Sequence, residues 1–241
     1  MRLILLLAAT IIAASLSYAA PCLPAPLSTY TAAGFTCEVG TAEFSEFSFF
    51  LQNGGAGDLL GEDDITVSPL SEPGAVGFRF SGEFQATGGP NTPAPAGGLR
   101  TNEYRFFFEV AKPGSEFLSV ISRLNDPLRI VYNPFKFGAI FAANYAANDG
   151  AVAIAHDDDP GLIATEALNS ERSSISSDLL LHISAGASAE GTTSPVGYAS
   201  LASGDFLFEY RDLPPEIPEP SSWLMGLSAL GGLGVLRYLR R

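Results

Sequence analysis

The chain has 241 residues, room for one sizeable domain or two small ones, and its 13 Lys and Arg stand against 26 Asp and Glu for a net charge of -13. That balance excludes a nucleic-acid partner, whose phosphates demand a basic face. Hydrophobic residues at 46% and charged residues at 16% exclude disorder of the whole, and 25 Gly with 17 Pro predict many turns.

At the N-terminus, Arg2 precedes the uncharged apolar run Leu3 to Ala14, which ends in Ser17-Tyr18-Ala19-Ala20. This predicts a secretory signal helix over residues 1–19, because Ser17 and Ala19 suit the shallow pockets of a signal peptidase. Cleavage is expected after Ala19, with Ala20 as second choice. An uncleaved membrane anchor is the alternative. A lipoprotein built on Cys22 is disfavoured, since Pro21 stands where a small flexible residue is wanted.

A secreted domain is expected over residues 20–213. Removing Arg2, Arg237, Arg240 and Arg241 from the 13 basic residues leaves nine, and with the stub to Glu219 kept all 26 acids remain, a net charge of -17 for the exported body. Such a charge favours solubility and keeps the protein away from anionic surfaces. Cys22 and Cys37 are the two cysteines. Their even number and an oxidising periplasm predict a disulfide, which closes a short loop and stabilises by about 3 kcal/mol in the chain-entropy model. Two unpaired buried thiols are the alternative. Zinc is excluded, because two further soft ligands are missing nearby.

Large apolar side chains then recur at every second position: Phe47-Phe49-Leu51, Ile65-Val67, Val76-Phe78-Phe80, Tyr104-Phe106-Phe108-Val110, Leu128-Ile130-Tyr132 and Phe206-Phe208-Tyr210. Period two predicts strands with one face inward. Gly, Pro, Asn and Asp mark Ala86 to Arg100 and Ala185 to Gly197 as turns and long loops. Leu162 to Leu168 is expected to form one or two helical turns. The whole predicts an all-β domain, a β-sandwich of jelly-roll-like size. No repeat at a solenoid period is present.

Chemistry is sparse in this domain. His156-Asp157-Asp158-Asp159 and Glu62-Asp63-Asp64 are the densest carboxylate clusters. Asp157, Asp158 and Asp159 are weak candidates for Ca²⁺, which wants six to eight oxygen ligands; consecutive carboxylates alternate direction in extended chain, so solvated turns are favoured. His156 and His182 are the only histidines. His182 lies in the expected strand Leu179 to Ile183, where a structural role is the default. No nucleophile elbow or catalytic spacing appears, so no enzyme and no cofactor are predicted, with a secreted hydrolase as a minor alternative. Phe107, opposite in direction to Phe106 and Phe108, would stack on sugars if the outer face carried a row of aromatics; a second covered sheet face is the favoured reading.

The last segment, residues 214–241, differs in kind. Pro214-Pro215-Glu216-Ile217-Pro218-Glu219-Pro220 is stiff, extended and acidic. Ser221 or Ser222 caps a helix expected over residues 223–239, which ends in Arg237, Arg240 and Arg241. At 1.5 Å per residue it reaches about 25 Å, and snorkelling arginines with an interfacial Trp223 close the gap to a ~30 Å hydrocarbon core. Leu224, Met225, Leu227, Leu230, Leu233 and Leu236 surround its axis, which fits a single transmembrane helix better than one packed on the domain. Gly226, Gly231, Gly232 and Gly234 each weaken it by about 1 kcal/mol relative to Ala.

This order of parts resembles the PEP-CTERM sorting signal of Gram-negative bacteria, also catalogued as an ice-binding protein C-terminal domain. Pro218, Glu219 and Pro220 match the recognition tripeptide, and Arg237, Arg240 and Arg241 match the terminal basic stop. Cys22 to Phe49 is similar, more loosely, to the opening of many such proteins. The resemblance implies exosortase, an integral membrane cysteine transpeptidase, as partner: the precursor sits in the inner membrane, is cut near the motif and passes to the cell surface or matrix. It also implies contact with exopolysaccharide. A carbohydrate-binding module is the alternative role. The ice in the family's other name carries no weight, because the repeated coils of an ice-binding β-helix are missing.

Overall fold

Alternation decides the fold, and the chain meets it with pairs of long antiparallel strands that turn most of their phenylalanines to one side. The computed structural model describes residues 19–53, 59–88, 100–130, 136–157, 162–187 and 197–215. The signal peptide before Ala19, the sorting tripeptide, the expected membrane helix and the terminal arginines lie outside these residues. Among the described residues no helix is long and apolar enough to cross a membrane.

The elements follow in order as β1 (Ala25–Pro26), α1 (Leu27–Tyr30), β2 (Cys37–Val39), β3 (Ala42–Asn53), a 3-10 turn (Glu62–Asp64), β4 (Thr66–Glu72), β5 (Ala75–Gly88) and β6 (Arg100–Ala111). Then come β7 (Ser115–Asn125), β8 (Leu128–Ile130), β9 (Lys136–Ala146), β10 (Val152–His156), β11 (Ile163–Arg172), β12 (Ser174–Ala187) and β13 (Gly197–Asp212). They form the expected sandwich of two sheets. One, here the β13 sheet, runs β1-β4-β5-β13-β7-β11, with β8 also on β13; the other, the β12 sheet, runs β10-β9-β12-β6-β3-β2. Within them β5-β13-β7-β11 faces β6-β12-β9-β10, the strand order of a jelly roll, and β4 and β3 widen the two sheets at the same edge.

Between the sheets lies an aromatic core. Phe44, Phe78, Phe80, Phe84, Tyr104, Phe106, Phe117, Phe206 and Phe208 are all fully buried. Phe80 stacks on Phe106 across the sandwich at 4.1 Å between ring centroids, and Phe78 meets Phe44 edge-on at 4.6 Å. Each such pair contributes roughly 0.5–1.5 kcal/mol beyond its buried area. Gly77 is required by close approach, since a Cβ there would lie 2.0 Å from the Phe206 carbonyl oxygen. Gly74, at φ 77°, turns β4 into β5.

Two expectations need correction. Leu162 to Leu168 is no helix: Ile163–Arg172 is the edge strand β11, paired antiparallel with β7. Ile163 and Thr165 are β-branched and their backbone groups find partners on β7, which outweighs a weak local preference. Leu128 does not face inward, being 51% exposed, because Asp126 at φ 52° and Pro127 break the run between β7 and β8. In β3, Phe47, Phe49 and Leu51 pack against the core as expected, after a change of phase. Phe44 and Phe47 are an odd number of positions apart, yet both pack on Phe78. A bulge between Ser45 and Ser48, with Glu46 at φ 56°, absorbs the extra residue and leaves Phe50 outward.

The chain start is stitched to the β12 sheet. Cys22 and Cys37 form a disulfide, Cys22 N donates to Glu38 O, and Glu38 N donates to Ala20 O. Replacing both cysteines by serine should lower the unfolding free energy by about 3 kcal/mol, read from the urea midpoint at unchanged slope.

Candidate functional site

The carboxylate clusters do not converge. Asp157 ties the end of β10 to β9, accepting from Ile140 N at 3.2 Å and donating its own N–H to Ile140 O. Asp158 and Asp159 lie outside the described residues. In the 3-10 turn, Glu62 accepts from Thr31 Oγ1, Asp63 from Ser28 Oγ at 2.5 Å and Asp64 from Gly61 N at 2.9 Å. These three acids hold α1 and the turn together. Among the described residues no group of three or more His, Cys, Asp and Glu is placed to hold a metal ion.

The two histidines, far apart in sequence, come to one place. Strand register sets Glu103, His182, Phe141 and His156 in a row across β6, β12, β9 and β10, on the outer face of the β12 sheet. His182 Nδ1 lies 3.0 Å from Glu103 Oε1, and its ring stacks on Phe141 at 4.4 Å and 14°. Ser184, next along β12, spends its hydroxyl on the Ala139 backbone.

Two further rows complete this face. Phe107, Asp178, Tyr145 and Val152 are successive cross-strand partners, as are Phe50, Arg105, Leu180, Ala143 and Ile154. Phe50 is 54% exposed, Ile154 42% and Tyr145 37%. Phe107 is half-buried on the same face, so the favoured expectation of a covered second face fails here. The outer face of an antiparallel sheet is ordinarily polar. This one is aromatic and aliphatic, with Asp178 and Arg105 set into it. Burial pushes the Asp178 carboxyl above its usual range against the pull of Arg105, whose Nη1 is 3.9 Å away. Asp178 Oδ1 and Arg105 Nε have no hydrogen-bond partner. Beside them runs a shallow groove of about 280 Å³, lined by Glu46, Phe107, Glu109, Ser176 and Asp178.

The β13 sheet presents the opposite character. Arg79 grips Asp205 through two hydrogen bonds of 2.7 and 2.9 Å, Asn125 adds a third at 2.9 Å, and Arg123 grips Glu72 at 2.5 and 2.9 Å. These charges lock β4, β5, β13 and β7 together, and no local pattern announces them. The bond from Arg123 holds the Glu72 carboxyl below its ordinary 4.5. Nearby, where β13 shifts register between Leu201 and Ser203, a cleft of about 660 Å³ opens among Glu83, Gln85, Asp126, Leu128, Tyr198 and Ser200. Strands β5 and β8, which line it, end at Gly88 and Ile130, and 89–99 and 131–135 lie outside the described residues.

The opposite pKa shifts predict opposite pH effects. Asp178 titrates higher when folded, so its folded state is favoured at low pH and that advantage is lost as pH rises through its folded pKa. Asp178→Asn should therefore raise the melting temperature at pH 7, and the gain should vanish in acid. Glu72 titrates lower when folded, so its contribution is present above 4.5 and lost as pH falls through its folded pKa. Glu72→Gln should destabilise at pH 7 and converge with the parent protein in acid, in the same melting series.

Residues 216–241 match the family model of the PEP-CTERM protein-sorting motif. The motif implies export, a membrane-anchored precursor and exosortase as processing partner. The match covers the chain end and none of the β-sandwich. A search of curated proteins finds no match.

Proposed function

We propose that this protein is a non-catalytic component of the cell surface or extracellular matrix, delivered there by exosortase. The observation that carries the reading is the sorting motif at 216–241, directly after a folded acidic β-sandwich whose last strand ends at Asp212. A signal peptide starts export, and cleavage after Ala19 retains the Ala20 carbonyl that accepts from Glu38. The helix over 223–239 then holds the precursor in the inner membrane, with Arg237, Arg240 and Arg241 on the cytoplasmic side. Proline keeps Pro214 to Pro220 extended and available to an enzyme at the membrane face. The Cys22–Cys37 disulfide suits an oxidising compartment. Once released, the acidic body serves a structural or interaction role among exopolysaccharides.

A carbohydrate-binding role is the second reading, favoured by the aromatic side chains that register gathers on the outer face of the β12 sheet. Sorting is tested by replacing Pro218, Glu219 and Pro220 with alanine. Intact mass of the membrane fraction should then show precursor that keeps its C-terminal helix; processing at the normal rate would refute the assignment.

A further inference from the structure

We infer that the outer face of the β12 sheet is a binding site for an uncharged polysaccharide, with Phe107 and Tyr145 as stacking platforms and Asp178 and Arg105 as its polar anchors. The inference rests on the carbohydrate-binding reading and gives it a place and a ligand class. Asp178 is the direct cross-strand partner of both Phe107 and Tyr145, so the two rings stand on either side of one carboxylate. Adjacent strands lie about 4.8 Å apart, which sets the rings roughly 10 Å from one another along a line across the sheet. A glycan crossing the strands meets one ring, then the carboxylate, then the other ring. Phe50 and Ile154, both exposed, continue the apolar surface in the neighbouring row.

The polar atoms discriminate between occupants. Arg105 Nη1 and Asp178 Oδ2 stand 3.9 Å apart and their side chains are 40% and 24% exposed, so both charged groups keep polar atoms open to a ligand on this face. A sugar hydroxyl both donates and accepts, and the C–H face of the same ring rests on an aromatic side chain. An apolar segment would cover the aromatic surface and strip water from both charged groups without replacing its hydrogen bonds. Self-association also brings together two chains that each carry a net charge of -13. That charge, with Glu46, Glu103 and Glu109 around the patch, opposes polyuronates and selects for a neutral polymer. The groove of about 280 Å³ beside Phe107 gives a ring edge or substituent a place to sit.

Affinity electrophoresis tests this on the full chain held in a polyoxyethylene detergent, through native gels containing hydroxyethyl cellulose, laminarin, dextran or alginate. At least one of the three neutral polymers should retard the protein and alginate should not. Tyr145→Ala should weaken that retention about tenfold, the loss of one stacked ring, and Asp178→Asn should weaken it by a similar factor while melting no lower than the parent at neutral pH. If none of the neutral polymers retards the parent protein, both the carbohydrate-binding reading and this site are overturned. Retention that persists unchanged in either variant leaves glycan binding standing and overturns the site. Retardation by alginate alone overturns the ligand class. A dimer in sedimentation velocity that Tyr145→Arg dissociates would make a second copy the occupant, against the proposal. Sorting is read separately from the tripeptide variant, so its failure cannot be confused with any of these results.

Discussion

Phe78 is where the two sheets are held. Its ring meets Tyr30, Phe44, Phe47 and Phe108 at centroid distances of 4.6 to 5.7 Å, which joins α1, β3 and β6 to β5 through one buried side chain. Rings of this size interdigitate only if their strands keep register, because a slip of one residue would send Phe78 and Phe80 to solvent together. The inward set therefore fixes the outward set. What stands on the outer faces has no part in closing the core, and its chemistry is free to differ between sheets.

It does differ. On the β13 sheet, two arginines and two carboxylates pair almost ideally, and Asp205, nearly buried, has three hydrogen bonds. Breaking such a set strands a charge, so its worth is in holding four strands in fixed order rather than in net stability. On the β12 sheet, Asp178 and Arg105 approach no closer than 3.9 Å and each keeps an unpaired atom. A carboxylate kept in that state works against folding, as its raised pKa says. Opposite charges pair closely on one face and loosely on the other.

How much of this could be read beforehand depended on period and distance. Strands β5, β6 and β13 announce themselves through Phe78-Phe80, Phe106-Phe108 and Phe206-Phe208, where polar or small residues alternate with rings. In β9, Ala139, Ala142, Ala143 and Ala146 stand on both faces, so no period emerges, and β10 repeats the problem in five residues. The bulge at Glu46 reverses the phase within β3, which no alternation rule anticipates. The disulfide was legible because two cysteines allow one pairing. The aromatic rows were not, since Phe50, Phe107 and Tyr145 come from three strands and only register aligns them. Arg79 and Asp205, 126 residues apart, gave no local signal at all.

The arrangement also explains how a chain can be built to lose its end. Every member of the buried cluster among the described residues lies between Cys22 and Phe208, and Arg211 closes the sandwich by pairing with Glu116 and Glu171 on β7 and β11. Beside that point Tyr210 N donates to Gly74 O at the β4–β5 turn. A cut near Pro218 to Pro220 therefore removes no side chain from that core and no strand from either sheet. Pro214 and Pro215 follow at once, and proline cannot donate to a ladder, so the pairing of β13 is not carried on through them.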